Sequence, residues 1–488
     1  MNKTEDGGTF HSNQSIEGTS AVPVLILLSV LPGTFLSHFS AGLVNIALPN
    51  LSLYFEASVG AVQWIVTGYL LMVMLFLPIM GNLSDKYGKK RIHNLGYLIF
   101  GAGIIFSALS FSLWILIASR LLQGIGAAML QATNMAIITE NYPEEKRGKA
   151  LGIISTAVGV GAMLGPSAGG LIINYFSWHM LFWIQVPMIV VSVVMAMKFI
   201  PSDKKENPAS SMDYVGAALF GITVPSVIFV LNEIGEGQLN SNLMIIAVIA
   251  VLCFILFIRW TKKKEDPFIN MNIFSPPMVK AGSFIIVVSY MATFATMVVV
   301  PFYLQGILGV SPSVSGFLLM TYPLLLAVFG PISGTLSDKF GSYLVVLVGL
   351  LFMVGSLICL SLLTEGSSLT SVAVYLCFLG ISMGVLTSPN YNLIMGYVSI
   401  RYLGIITSTI ALLRNLGMAI GTAVGVTFMN GFVDGSMTEW MMTGEEREID
   451  HVMTGFTSFF WFMAVLTVIM ILYLVFKNKQ LQKTEKEV

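Results

Sequence analysis

The sequence predicts an all-α integral membrane protein of about 14 transmembrane helices, built as two related six-helix bundles with two further helices inserted between them. Three observations carry that expectation. Of 488 residues, 56% are hydrophobic and only 10% charged, against roughly 25% charged in soluble domains. Apolar runs of spanning length recur along the whole chain, each bounded by charges or turn residues. An eight-residue segment also occurs twice, as GNLSDKYG at 81–88 and GTLSDKFG at 334–341, with six of eight positions identical.

Taken in order, residues 1–21 are polar, with Glu5, Asp6 and Glu17 against a single Lys3. This is unlike the basic start and apolar core of a signal peptide, so a cytoplasmic tail is expected. The Asn2 and Asn13 sequons in that tail carry no weight. The N-terminal bundle, 22–200, is expected to hold spans near 22–48, 61–83, 93–111, 113–138, 150–174 and 180–200. Spans seven and eight, near 213–231 and 242–259, form the inserted pair within 201–281. The C-terminal bundle, 282–476, holds spans near 282–305, 314–336, 343–363, 370–396, 403–428 and 453–476, and 477–488 is a second tail.

An even number of spans puts both termini on one side. Short cytoplasmic loops collect Lys and Arg. With the N-terminus inside, Lys86, Lys89, Lys90, Arg91, Lys146, Arg147, Lys149 and Lys262 to Lys264 all face the cytoplasm, and Arg447 falls outside. The outer loop 429–452, with its six acidic residues, reads as a solvated face. Net charge is zero, without the basic excess of a nucleic-acid binder. Cys253, Cys359 and Cys377 sit inside apolar runs, with no spacing that suggests disulfides or a metal.

The repeated segment closes spans two and ten at the same end, as expected of a duplicated bundle related by an axis along the membrane normal. In its first copy Gly81 and Gly88 permit a tight return, and Asp85 falls near the start of span three, where a helix dipole favours a carboxylate. Lys86, Lys89, Lys90 and Arg91 hold the turn in the cytoplasm. A plain charged turn would not need a copy 253 residues later (334 minus 81).

Arg120 is costly at mid-membrane, about 2.5–3.5 kcal/mol on insertion scales, and calls for a cavity or a partner. Gln123 shares its helical face. Ala157, Gly161, Gly165 and Gly169 form a small-residue stripe in span five, with Pro166 inside it. Read alone, such a stripe is helix packing. Span 13 repeats it with Gly417, Gly421 and Gly425 after Arg414, a second cation that faces either a cavity or a structural partner. Tyr322, Pro323, Pro389, Asn390 and Tyr391 are expected to interrupt spans 10 and 12, as binding-region breaks or as packing kinks.

Together these motifs resemble the major facilitator superfamily. The Gly81–Arg91 loop is similar to its signature loop; Arg120, Gln123, Gly124 and Gly126 to its R-x-x-Q-G-x-G; Gly161, Gly165, Pro166 and Gly169 to its fifth-helix antiporter motif. Trp178, Phe182 and Pro187 fit the opening of span six. Fourteen spans point to the drug:proton antiporter branch. The resemblance implies two bundles rocking about a central cavity, export of small amphiphilic compounds across the plasma membrane, Arg120 in proton coupling, and a gate at Asp85. It further implies a monomer in the lipid bilayer whose partners are a substrate and protons, with no cofactor. No G-x-x-x-x-G-K-[ST] loop is present, so the expected energy source is an ion gradient.

The chain departs from the family pattern at Ser40, which stands where an aspartate is expected in FSAGLVNIALP. No Asp or Glu falls in the middle of any expected span. His38 is then either a substitute proton acceptor or a hydrogen-bonded helix histidine. Two buried arginines without a buried carboxylate argue against a strongly cationic substrate. Within transport, a dedicated exporter of one metabolite, lipid or self-made antibiotic stands beside a multidrug exporter. A membrane enzyme or sensor is the remote third reading.

Overall fold

The computed structural model describes residues 18–142, 144–202, 213–235, 241–264, 267, 269, 274–398, 403–432 and 449–487. Most of the expected N-terminal tail, most of the linker after span six and most of the acidic outer loop with Arg447 lie outside the described residues. Every regular element among them is helical, as a chain in lipid requires when no water is at hand to satisfy its backbone. The N-terminal half comprises α1 (Gly18–Asn45), α2 (Leu48–Phe55), α3 (Val59–Tyr87), α4 (Lys89–Ala108), α5 (Leu113–Asn141), α6 (Glu144–Tyr175), α7 (Met180–Trp183) and α8 (Val186–Phe199). The inserted pair is α9 (Tyr214–Gly235) and α10 (Ser241–Lys263). The C-terminal half comprises α11 (Pro277–Phe302), α12 (Pro312–Phe340), α13 (Ser342–Ser361), α14 (Leu369–Met395), α15 (Leu403–Asn430) and α16 (Ile449–Glu487).

Among the described residues thirteen segments are long and apolar enough to cross a membrane, α11 counted with the π turn that follows it and α7 counted together with α8. The fourteenth expected span is α4, a 20-residue helix whose first turn carries Lys89, Lys90 and Arg91, which dilute its hydropathy. The ends depart from expectation where proline acts. Pro49 and Pro187 lack an N–H to donate, so each sits in the first turn of a new helix and divides its span, into α1 and α2 and into α7 and α8. Pro323, Pro331 and Pro389 instead lie inside unbroken helices, so α12 and α14 are continuous and the expected interruptions do not occur. In the segment expected as a second tail, α16 runs on to Glu487 through Lys, Gln and Glu, all good helix formers.

The internal repeat is carried through the packing. The contacts of α1 with α6 and α8, of α5 with α3 and α4, and of α4 with α8 recur as α11 with α15 and α16, α14 with α12 and α13, and α13 with α16. Both signature copies also turn alike. The N–H of Gly88 donates to Ser84 O and that of Gly341 to Ser337 O, each at 2.9 Å. Their φ values of 101° and 82° belong to glycine. Gly81 takes no part in the turn: it lies inside α3, and nothing would meet a side chain there.

The halves meet where α6 packs on α12 and α3 on α15. Although α10 packs on α9 and exposes Met244, Val248, Val251 and Leu252, α9 itself touches both α3 and α15. Thr427 of α15 donates to Leu231 O of α9 at 2.7 Å.

Candidate functional site

Glycine brings α5 against its neighbours closely enough to enclose a charge. A Cβ on Gly124 would lie 2.6 Å from Tyr69 O, and one on Gly103 would lie 2.7 Å from Gln123. That approach sets the Tyr69 ring 4.3 Å from the guanidinium carbon of Arg120, a cation–π contact strengthened by desolvation. Arg120 is fully buried. Its Nε donates to Ile65 O at 3.0 Å, and its Nη1 to Ser40 Oγ at 3.0 Å and Gln123 Oε1 at 2.5 Å. Gln123 Nε2 donates to the same Ser40 Oγ at 3.0 Å. The position where the family pattern expects an aspartate is therefore the hub of this cluster, filled by a neutral hydroxyl. Arg120 Nη2 has no partner, the cost of which is that of an unmade hydrogen bond to a charged group. Tyr69 closes the cluster by donating to Ser37 O of α1 at 2.8 Å.

His38 lies two residues before Ser40 on α1. Its Nδ1 lies 2.9 Å from Thr34 O; a carbonyl only accepts, so Nδ1 carries the proton and Nε2 presents its lone pair. His38 is hydrogen-bonded to its own helix and half-buried, and it lies within electrostatic reach of Arg414 from the other half.

Arg414 is half-buried on α15. It lies within electrostatic reach of Tyr391 on α14, whose hydroxyl is 3.4 Å from the hydroxyl of Tyr290 on α11. The Nε of Arg414 has no partner. Asn390 lines the same crevice as the two tyrosines, its Nδ2 donating to Gly282 O at 2.9 Å.

The small-residue stripes fix the helices that carry these groups. Cβ atoms on Gly161, Gly165 and Gly169 would meet Phe35 O at 2.6 Å, Leu43 N at 2.9 Å and Leu43 O at 2.5 Å, so α6 lies directly on α1. Gly417, Gly421 and Gly425 seat α15 on α11 in the same way. The stripe thus serves packing in both halves. On the face opposite the signature turns, Gly170 touches Pro312, and Gly316 touches Pro166. Asn50 Nδ2 donates to Gln305 Oε1 at 3.1 Å, and Gln305 Nε2 to Ile46 O at 3.2 Å. The two halves are fastened together there.

At the signature turn, Lys89 forms an ion pair with Glu140 at the end of α5, a partner that sequence reading missed because nothing in the spacing of 51 residues links them (140 minus 89). Lys86 rests over the Tyr87 ring at 5.3 Å. Lys90 and Arg91 lie in the first turn of α4. The side chain of Asp85 lies outside the described ones. Among residues whose burial is described, Asp213 is the one buried carboxylate. It is tied to the inserted pair, accepting from Trp260 Nε1 at 2.8 Å and Gly216 N at 3.0 Å. Tyr69, Tyr290 and Glu140 contact these groups without having been singled out by the sequence, and Tyr391 appeared there only as a helix break.

The family model of the Major Facilitator Superfamily matches residues 30–260 and 282–488. The riboflavin transporter RibZ of Clostridioides difficile is 32% identical over 85% of this chain and 89% of its own. The lincomycin resistance protein LmrB of Listeria monocytogenes is 27% identical over 95% and 98% of the two chains. The multidrug resistance protein Stp of Mycobacterium tuberculosis is 26% identical over 82% and 75%. A bacterial homologue of the human lysosomal transporter Spinster, solved in an inward-facing conformation, shares the fold with a TM-score of 0.65 at 16% identity, covering 96% of this chain and 98% of that one.

Proposed function

Since the chain belongs to the major facilitator superfamily, and is therefore a multi-pass membrane transporter rather than an enzyme, we propose that it exports small amphiphilic compounds across the plasma membrane by proton antiport with alternating access. The observation that carries this reading is the Arg120 cluster. One buried cation joins α1, α3 and α5 through Ser40, Ile65 and Gln123, so protonation or substrate binding nearby would be transmitted to three helices at once. Both termini are cytoplasmic in this reading, in keeping with the charge distribution. The fastened face is then the outer one, and the arrangement is an inward-facing state. Gly88, Lys89 and their neighbours secure the cytoplasmic gate when the outer face opens. Asp85 belongs to the same gate.

Direction rests on the lincomycin and multidrug resistance relatives and on the likeness of α6 to the antiporter motif. A second reading, a dedicated transporter of one metabolite, is favoured by the 32% identity to a riboflavin transporter. The test is pH-gradient-driven uptake into inverted membrane vesicles of riboflavin, lincomycin and a panel of cationic, neutral and anionic amphiphiles. Uptake of several compounds that collapses with the gradient and with Arg120→Ala supports the multidrug antiporter. Uptake of one compound alone selects the dedicated reading. Uptake that ignores the pH gradient sinks proton antiport.

A further inference from the structure

The internal repeat is not copied evenly. Helices α4 and α13 each run 20 residues from a signature glycine. The shift between those glycines, 253 residues (341 minus 88), pairs Gly96 with Gly349 and Gly103 with Ser356. At the first pair both halves close up: a Cβ on Gly96 would lie 2.9 Å from Met129 of α5, and one on Gly349 would lie 3.1 Å from Leu386 of α14. At the second pair only the N-terminal half does so, since a Cβ on Gly103 would meet Gln123 at 2.7 Å. Ser356 carries a side chain at that place, which keeps α13 from approaching α14 as closely. Beside it, Gly355 has open space where a side chain would go. A groove of about 370 Å³ results, lined by Leu351, Phe352, Gly355, Ser356 and Cys359 of α13 and by Phe378 of α14.

The groove is apolar and opens at acyl-chain depth. Its hydroxyl, on Ser356, is spent on Met353 O at 3.1 Å, and Leu351, Phe352 and Phe378 are exposed at its walls. Counted from Ser342 beside the signature turn, Gly355 stands about 20 Å into a hydrocarbon layer of about 30 Å, which is the outer leaflet when both termini are cytoplasmic. Helix α13 packs on α12, α14 and α16, while the inserted pair packs through α9 on α3 and α15, away from the groove. Six lining residues offer far less than the roughly 800 Å² per partner of a stable protein interface, which argues against a second copy as the occupant. The volume equals about a dozen water-sized groups at roughly 30 Å³ each, enough for much of one hydrocarbon chain. No Lys or Arg lies between Cys359 and Phe378 to choose a head group by charge. We propose that the groove between α13 and α14 seats one acyl chain of an outer-leaflet phospholipid, held in place of the side chain that Gly355 lacks. The site is independent of substrate, direction and coupling, and takes from the transport reading only the orientation in the membrane.

The full-length protein is reconstituted in vesicles of phosphatidylcholine and phosphatidylglycerol with a trace of phosphatidylcholine that carries a diazirine at mid-chain. After irradiation, adducts are mapped by peptide mass spectrometry. Leu351 of α13 and Leu252 of α10 form a matched pair, 55% and 53% exposed and each about 15 Å from the outer end of its helix. Leu351 is expected to be labelled several-fold more than Leu252. Gly355→Leu fills the groove, meets no neighbour within 4 Å at its Cβ and favours helix. It should bring Leu351 down to the level of Leu252, lower the labelling of Phe378 on the facing helix, and leave Leu252 unchanged. Gly355→Ala serves if the leucine variant does not elute as a monodisperse species, and should remove part of the excess. Equal labelling of the two leucines in the wild type, or an excess at Leu351 and Phe378 that survives the folded variant, would overturn the assignment. So would dimers joined through Cys359 by a short bifunctional thiol reagent in a protein with Cys253→Ser and Cys377→Ser, because a second copy would then cover the groove. Labelling needs neither gradient nor substrate, so its failure counts against this site alone and absent uptake in vesicles counts against antiport alone.

Discussion

Ser40 accepts from both Arg120 and Gln123 at 3.0 Å, so a single hydroxyl settles two buried donors. Ser40→Ala is expected to strip both of their acceptor and lower stability by about 1–3 kcal/mol, read as an earlier melting transition of the purified protein. Ser40→Asp supplies acceptors again and should recover most of that loss. A Ser40→Ala protein that melts like the wild type would mean that Arg120 is held by other groups. The sequence displayed Arg120, Gln123 and the unusual Ser40, because each stands in a motif. It could not display Tyr69, Tyr290 or the Tyr391 hydroxyl bond, because tyrosines are common in apolar runs and nothing local says which of 16 will turn inward.

At the scale of elements, glycines decide how near two helices come. Gly165 faces backbone, with Leu43 N and Phe39 O both 2.9 Å from where a Cβ would sit, whereas Gly159 on the same helix faces open space. Gly165→Ala must push α6 off α1 and is expected to cost about 1–3 kcal/mol; Gly159→Ala should be neutral or slightly stabilising, as alanine favours helix. Size-exclusion profiles after a heating series would separate them, and equal behaviour would sink the packing account. Helix number and order were legible because apolar length is a one-dimensional property. Their ends were less so. Proline divided two spans and left α12 and α14 whole, and the difference lies in whether a proline falls in a first turn or within a run already supported by its neighbours. Lys89 and Glu140 pair across two helices, a contact that only the folded bundle reveals.

For the whole molecule, the alternating-access reading requires the Asn50–Gln305 contact to be temporary. In a background lacking Cys253, Cys359 and Cys377, Asn50→Cys with Gln305→Cys, joined by a short thiol cross-linker, is expected to halt transport; a reducible linker should allow recovery on reduction. Undiminished transport by the cross-linked protein would show that this face need not open. The duplication was legible from eight residues, and the packing repeats it helix by helix. The position of α9 was not legible, because an apolar helix looks alike whether it borders lipid alone or lies across a junction. Here α9 is bonded to α15 through Thr427 and reaches α3, where a Cβ on Gly221 would meet Leu75 at an ordinary 3.9 Å. It therefore acts as a gasket over one of the two lines along which the halves join. The junction between α3 and α15 is covered by α9, while α9 and α10 do not cover the junction between α6 and α12. On the export reading, a compound entering sideways from the bilayer would find one of these two seams closed by the inserted pair and the other free of it.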